Sequence, residues 1–422
     1  MLGFMILLAL LILGSPIAFS ILIAVLGYLS QTPFSVSLVG QRLFSGLDSF
    51  AILAIPLFVL AGELMNESGI TGRIIRFANA CVGHMRAGLA QVNIWASVIF
   101  AGLSGSAVAD TSALGRIFIP EMEKEGYPRD FAAALTAASS VIGPMIPPSI
   151  PVIIYALITS GVSVPALFLA GVAPGILLAI GLSLYVRAKA AHYAPMHERL
   201  SFKERMIAFK DAWVPLFMPI FIVGSILTGI VTPTEAAALA AGYALIAGMF
   251  VLKSLHLRAL PNVFIRAMRD SSVILIIIGV ISVANWLLTF SQVPQKVSEM
   301  VLAEVTSPWM FLLAVNVILL VVGLFLEGIA AMLILLPILH PIAMQLGLDP
   351  VHFGIVVIFN LMIGLVTPPM GICLFVSNSI ANVGVGAISR RIMPLFIVEL
   401  IVLGIVTFIP ETVTFLPRLF GY

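Results

Sequence analysis

Charged side chains are scarce: Asp, Glu, Lys and Arg make up only 9% of the 422 residues, whereas hydrophobic residues make up 61%. No soluble domain can hide that much apolar surface from water, which excludes an aqueous setting for most of this chain. Cysteine is almost absent. Cys81 and Cys373 stand far apart, without the spacing of a thiolate metal site or a disulfide framework, and read as packing residues. The first residues lack the basic segment and small-residue cleavage site of a signal peptide, so they read as a retained membrane segment. A basic stripe is also missing. The net charge of +2 comes from residues scattered among short loops, which excludes a nucleic-acid partner. Histidine is absent from the serine-bearing membrane motifs, with His84 in a loop and His340 at a segment end. A serine without a positioned base is a poor nucleophile, so an intramembrane hydrolase is disfavoured and the chain reads as a non-enzyme.

Long apolar runs are what the sequence does have. A membrane crossing needs roughly 20 apolar residues, and the pattern predicts ten crossings, near 1–13, 17–30, 51–65, 131–160, 165–187, 213–231, 235–252, 271–290, 352–381 and 392–411. Two further apolar segments, 89–120 and 309–340, read as re-entrant helical hairpins. If each enters and leaves on one side, 17 of the 21 lysines and arginines fall in five loops on the same face, between 73–86, 124–129, 187–210, 253–269 and 390–391. The opposite loops then hold little beyond Arg42, Lys296 and Arg418. That face is cytoplasmic by the positive-inside rule, and both termini lie outside.

An internal repeat is visible at an offset of 221 residues, which superposes Gly102 on Gly323, Pro120 on Pro341, Gly126 on Gly347, Gly143 on Gly364, Pro147 on Pro368 and Pro148 on Pro369. A second echo sets Gly14-Ser15-Pro16 on Val231-Thr232-Pro233 at a shift of 217. Each half, 1–212 and 213–422, then carries five crossings and a hairpin. An odd number of crossings inverts the second half relative to the first, the arrangement in which transporters form a midplane site. The predicted fold is therefore an all-α polytopic membrane protein built as an inverted repeat.

Both halves carry a proline pair in the middle of a crossing. In 143–149, Pro147 and Pro148 lack the N–H groups that would bond the carbonyls of Gly143 and Pro144; in 364–370, Pro368 and Pro369 release Gly364 and Leu365 in the same way, beside the Thr367 hydroxyl. Unpaired backbone at membrane depth is tolerated where it is buried or lines a cavity, and it suits a dehydrated alkali cation. A plain proline kink satisfied by neighbouring helices is the alternative. The first hairpin's tip, 101–111, is small and polar: Ser104 and Ser106 offer oxygens, and Asp110 is an intramembrane carboxylate, costly unless paired or functional. Helix packing through small residues explains the serines and glycines but not Asp110. Glu327, at the second hairpin's turn, can serve a cation, a proton or a structural hydrogen bond. Glu63, Glu67 and Glu235 read as helix-end anchors and His340 as an interface residue, while Arg116 calls for a partner such as Asp110 or a snorkelling path outward.

The runs Gly-Leu-Ser-Gly-Ser-Ala-Val-Ala-Asp at 102–110, Ala-Ala-Ser-Ser-Val-Ile-Gly-Pro-Met-Ile-Pro-Pro-Ser at 137–149, Phe-Ser-Gly-Leu-Asp-Ser-Phe with Ala-Ile-Pro-Leu-Phe at 44–58, Val-Thr-Pro-Thr-Glu-Ala-Ala-Ala at 231–238 and Gly-Leu-Val-Thr-Pro-Pro-Met-Gly at 364–371 resemble the large permease subunit of the tripartite ATP-independent periplasmic (TRAP) transporters, over essentially the whole chain. The resemblance implies sodium-driven import of an organic acid, such as sialic acid or a C4-dicarboxylate, across a bacterial inner membrane. It implies two partners, a periplasmic binding protein and a small membrane subunit expected as a separate chain, and an elevator mechanism of the ion-transporter-superfamily kind. In it the hairpins and broken helices 131–160 and 352–381 move past a scaffold of the remaining helices. Carried over, one sodium site maps to Ser104, Ser106, Gly143, Ile146 and Pro147, and a second to Gly323, Gly364, Thr367 and Met370. Substrate contacts fall to Asp110, Thr111, Pro148, Ser149, Pro369 and Ser377. No organic cofactor or transition metal is implied. The rival reading is a self-sufficient sodium-coupled carboxylate carrier that needs no binding protein.

Overall fold

The computed structural model describes all residues except 1, 33, 160, 191–192, 194–197 and 306, so the outer residues of predicted crossings 1–13 and 131–160 lie outside the described residues. Every regular element among the described residues is helical. The chain runs through α1 (Leu2–Ile12), α2 (Ile17–Leu29), α3 (Ser37–Leu47), α4 (Ala54–Glu67), α5 (Ile70–Val82), α6 (Gly88–Ser104) and α7 (Ala107–Lys124). It continues with α8 (Arg129–Ser140), α9 (Ile150–Ile158), α10 (Val164–Lys189), α11 (Phe202–Asp211), α12 (Trp213–Leu227), α13 (Pro233–Ile246) and α14 (Leu260–Phe290). The last seven are α15 (Val293–Glu304), α16 (Pro308–Gly323), α17 (Gly328–Gln345), α18 (Pro350–Gly364), α19 (Ile372–Ala381), α20 (Val385–Phe408) and α21 (Glu411–Leu419).

Local chemistry sets many of these boundaries. Thr232 and Glu235 form a capping box around Pro233, with the Thr232 N–H donating to Glu235 Oε2 at 2.7 Å, and so start α13. Glu235 is thus the helix-end anchor its position suggested. Asp349 accepts from the N–H groups of Val351 and His352 at 2.8 and 3.0 Å and starts α18. The residues Phe131–Ser140 of α8 and His352–Gly364 of α18 are all buried. Helices covered on every side carry no amphipathic stripe, which is why hydropathy alone finds these segments but not their packing.

Among the described residues, six helical segments are long and apolar enough to cross a membrane: Phe50–Glu67, Val164–Lys189, Pro233–Val251, Leu257–Phe290, Gly328–Gln345 and Val385–Phe408. Five of them fall on predicted crossings. The sixth is an arm of the segment read as a hairpin, and predicted crossing 213–231 is α12, bent by 60° from α11. The predicted broken helices are each two helices, α8 with α9 and α18 with α19, separated by the non-helical stretches 141–149 and 365–371.

Element boundaries recur at the 221-residue offset. Helices α7 and α17 both have 18 residues and start at 107 and 328, α8 and α18 start at 129 and 350, and α10 and α20 start at 164 and 385. The packing is reciprocal as well: α9 lies on α17 and α18 while α19 lies on α7 and α8, and α10 meets α18 while α20 meets α8. Such exchange of equivalent contacts is the signature of a pseudo-two-fold relation. Helices α1 to α4 pack with α12 to α14 into a second group beside this paired core.

The five basic loops gather on one face. Arg73 and Arg76 pair with Asp211, Arg391 Nε meets Asp130 Oδ2 at 2.9 Å, the Ser254 hydroxyl donates to Ser68 O at 2.8 Å, and one cavity of about 490 Å³ is lined by Arg76, His84, Glu121, Glu125 and Glu198. Arg266 clamps Glu63 and Glu67 of α4 at 2.8 and 2.6 Å. Part-exposed pairs of this kind contribute roughly 1 kcal/mol at most, so Arg266→Met is expected to lower the melting temperature by only about 2 °C in a detergent-solubilised thermal scan. A larger fall would show that the clamp holds α4 to α14.

Candidate functional site

The first hairpin is α6 and α7, joined at Gly105, which adopts a left-handed φ of 58°, and at Ser106, whose hydroxyl oxygen accepts from the Ala109 N–H at 3.4 Å and starts α7. The tip sits against the break between α8 and α9. A methyl group on Gly105 would lie 2.5 Å from Pro148 O, and one on Gly143 would collide with Asp110 Oδ2. The Ser104 hydroxyl donates to Asp110 Oδ1, while Asp110 is fully buried and its Oδ2 has no partner among the described residues. Ser104, Ser106, Gly143 and the Pro147–Pro148 segment are therefore brought together. Among the described residues no donor reaches the carbonyls of Gly143, Ile146 or Pro147. Hydroxyl, carbonyl and carboxylate oxygens in a water-poor pocket make a donor set suited to a hard cation.

The second hairpin, α16 and α17, repeats the approach. Methyl groups on Gly323 and Gly364 would lie 3.0 and 2.8 Å from the other residue's Cα, so the two backbones touch. The Glu327 side chain accepts from the Ala330 N–H at 3.3 Å and caps α17. Thr367 donates its hydroxyl to Ile363 O at 2.8 Å, and the Met370 side chain is 51% exposed.

Several expectations about free groups need correction. Pro144 O accepts from the Ser149 hydroxyl, Gly364 O from the Thr367 N–H at 3.2 Å, and Leu365 O from the Cys373 N–H at 3.0 Å. The proline pairs do remove local donors, but Thr367 supplies one from a tight turn just before its pair, and after the pairs the chain folds back and brings Ser149 and Cys373 as the others. Arg116 is exposed and does not pair with Asp110, because six residues of helix set the two on different faces. His340 is the interface residue its position suggested, 3.3 Å from the Tyr155 hydroxyl. Neither Ser104 nor Ser106 has a histidine partner among the described residues; His84 lies on the basic face.

Between the hairpin tips lies a cavity of about 480 Å³. Its wall joins Gly105–Val108, Pro144, Ile150–Pro151, Glu327, Ile329, Met362 and Leu365 to Pro16–Phe19 of the α2 entry and to Val273, Ile274, Ile276 and Ile277 of α14. Four helix N-termini, those of α2, α7, α9 and α17, thus open onto one space. Each presents the positive end of a helix dipole, and at α7, α9 and α17 a side-chain cap, Ser106, Ser149 or Glu327, already takes one N–H. The six residues assigned to substrate lie elsewhere in this conformation. Asp110, Thr111, Ser149 and Ser377 are fully buried, Pro148 is buried, and Pro369 is exposed. The α14 wall went unnoticed in the sequence because isoleucines and valines carry no chemical signal; Gly-Ser-Pro before α2 was the one available pointer.

Paired helical hairpins, broken helices and a cavity between them within a mostly apolar bundle define a multi-pass membrane transporter fold. The same fold is found in MtrF of Neisseria gonorrhoeae, described as an antimetabolite efflux pump, with a TM-score of 0.64 at 16% identity over 87% of this chain and 83% of that one. The chain belongs to the family described as the tripartite ATP-independent periplasmic transporter, DctM component, whose model matches residues 4–412. It is 40% identical to the sialic acid TRAP transporter large permease protein SiaM of Vibrio cholerae over 98% of both chains. It is 37% identical to the C4-dicarboxylate TRAP transporter large permease protein DctM of Rhodobacter capsulatus, over 99% of this chain and 98% of that one. These relatives are transport permeases, not enzymes.

Proposed function

We propose that this chain is the large membrane subunit of a sodium-coupled, binding-protein-dependent importer of an organic acid in the bacterial inner membrane, working with a small membrane subunit and a periplasmic binding protein. The observation that carries this reading is the cavity onto which four helix N-termini open. An apolar wall on which the positive ends of helix dipoles converge favours a carboxylate, as in transporters whose half-helices point at an anionic substrate. Relatives named for sialic acid and C4-dicarboxylates, both carboxylates, support that class.

The proposed architecture has ten crossings and two re-entrant hairpins in inverted repeats, 1–212 and 213–422. Hairpins and broken helices form a transport domain, and the cavity's far wall of α2 and α14 belongs to the scaffold against which it slides, elevator fashion. Sodium, the coupling ion, would be held by Ser104, Ser106, Gly143, Ile146 and Pro147, with the Asp110 carboxylate beside them, and at a second site by Gly323, Gly364, Thr367 and Met370. It supplies the driving force. These residues orient oxygens and keep water out.

The test is uptake of labelled sialic acid and C4-dicarboxylates into proteoliposomes holding this chain and its small subunit, with and without a sodium gradient and a binding protein. Uptake that needs both is expected. Sodium-driven uptake without the binding protein would instead favour a self-sufficient carrier. Within that assay Thr367→Ala is expected to raise the half-maximal sodium concentration about fivefold, the scale of one lost hydrogen-bonding oxygen, with substrate affinity at saturating sodium nearly unchanged. An unaltered sodium dependence in a well-folded variant would remove Thr367 from the site.

A further inference from the structure

Glu399, in the middle of α20, is fully buried, and among the described residues neither carboxylate oxygen has a hydrogen-bond partner. Its helix packs on α8, α10, α18, α19 and α21, so it stands behind the first half of each broken helix. The charged groups of these neighbours lie toward the helix ends. From α8 come Arg129 and Asp130, the latter bound to Arg391 of α20 itself at 2.9 Å, next to Arg390. Tyr185, Arg187 and Lys189 close α10. At the other end His352 of α18 is held by Val406 O at 2.9 Å, and Glu411 and Arg418 belong to α21. From α19 comes Cys373, the group within electrostatic reach of Glu399.

That thiol is also within electrostatic reach of Asp110 and beside Thr111, whose hydroxyl lies 2.6 Å from the Ser140 hydroxyl. Cys373 thus stands between Glu399 and the polar groups of the first hairpin. An ionised carboxylate with no donor and no counter-charge beside it among the described residues is not tenable in such a place, and an ionisable residue set inside a membrane bundle is there at a cost that packing alone does not justify.

We propose that Glu399 is a proton-binding site of the transport cycle, holding its proton in the conformation seen here and releasing it in another. The O–H bond breaks with its electron pair left on the carboxylate, and the proton passes to water on the face that the other conformation opens. No further reactant is needed. The inference rests on the transporter reading above and adds proton control to it.

Glu399→Gln keeps the shape of the neutral acid and removes the proton; Glu399→Met fills the same space without polarity. Wild type and both variants, with small subunit, binding protein and sodium gradient, are compared for uptake from about pH 6 to about pH 8.5, with a trapped pH dye reporting proton movement. Wild-type uptake is expected to change by about tenfold per pH unit along one limb, with a dye signal, whereas the variants stay flat within about twofold and give none. Variants that follow the wild-type pH profile overturn the proposal, as does a wild type with neither pH dependence nor proton signal. Should neither variant fold, the wild-type dye signal decides by its presence or absence. A wild type without sodium-driven uptake at any pH removes the transporter reading, and this proposal with it.

Discussion

Gly364→Ala is expected to abolish sodium-driven uptake, by about a hundredfold or more, while leaving the protein folded in detergent. The added methyl would lie 2.8 Å from Gly323 Cα and 3.1 and 3.2 Å from Gly323 C and O. These are backbone atoms that cannot rotate away, so the end of α16 and the end of α18 must part. A displacement of about 1 Å is enough to cost two orders of magnitude in a preorganised site. The cation site proposed here needs oxygens from both strands of that contact at once. Gly404→Ala is the control: a methyl there meets nothing within 4 Å, and in a helix it is favourable by about 1 kcal/mol. If G364A transports like G404A, the Gly323–Gly364 approach is only helix packing.

Asp110→Asn is expected to raise the sodium concentration for half-maximal uptake by at least about tenfold, which corresponds to about 1.4 kcal/mol of cation binding. The amide keeps the volume and can still accept the Ser104 hydroxyl, so the hairpin tip should survive. What it lacks is charge at the unpartnered Oδ2, the atom facing Gly143. A charged acceptor contributes about 1.5–3 kcal/mol where a neutral one gives less, and the loss falls on sodium rather than on folding. The measurement is a sodium titration of uptake at saturating substrate, with thermal stability recorded in parallel. A wild-type sodium curve would reduce Asp110 to a structural partner of Ser104.

How far the site could be read before the structure depended on the kind of signal. Glycine and proline report backbone geometry directly, so the pairs Gly143 with Gly364 and Pro147 with Pro368 marked both breaks and their equivalence from a single offset. Capping residues are equally local, and Thr232, Glu235 and Ser106 stand where their chemistry requires. The fate of a carbonyl is not local. Leu365 O finds the N–H of Cys373 eight residues on, and Pro144 O finds the Ser149 hydroxyl, because a chain that has stopped being a helix can fold back on itself. Of the two readings of Arg116, the outward path is the one that fits its exposure: proximity in sequence to Asp110 says nothing until the helical phase is known.

By itself, then, the sequence determined the solvent, the face on which the basic loops gather, the repeat, and the two places where helices break, since each follows from transfer free energy, charge or dihedral restriction acting within a few residues. Only the tertiary structure decided which surfaces meet at those breaks. The convergence of four helix N-termini, the isoleucine wall of α14 and the isolation of Glu399 all involve segments hundreds of residues apart, and apolar packing, which is non-directional, leaves no mark in the sequence of which partner it selects.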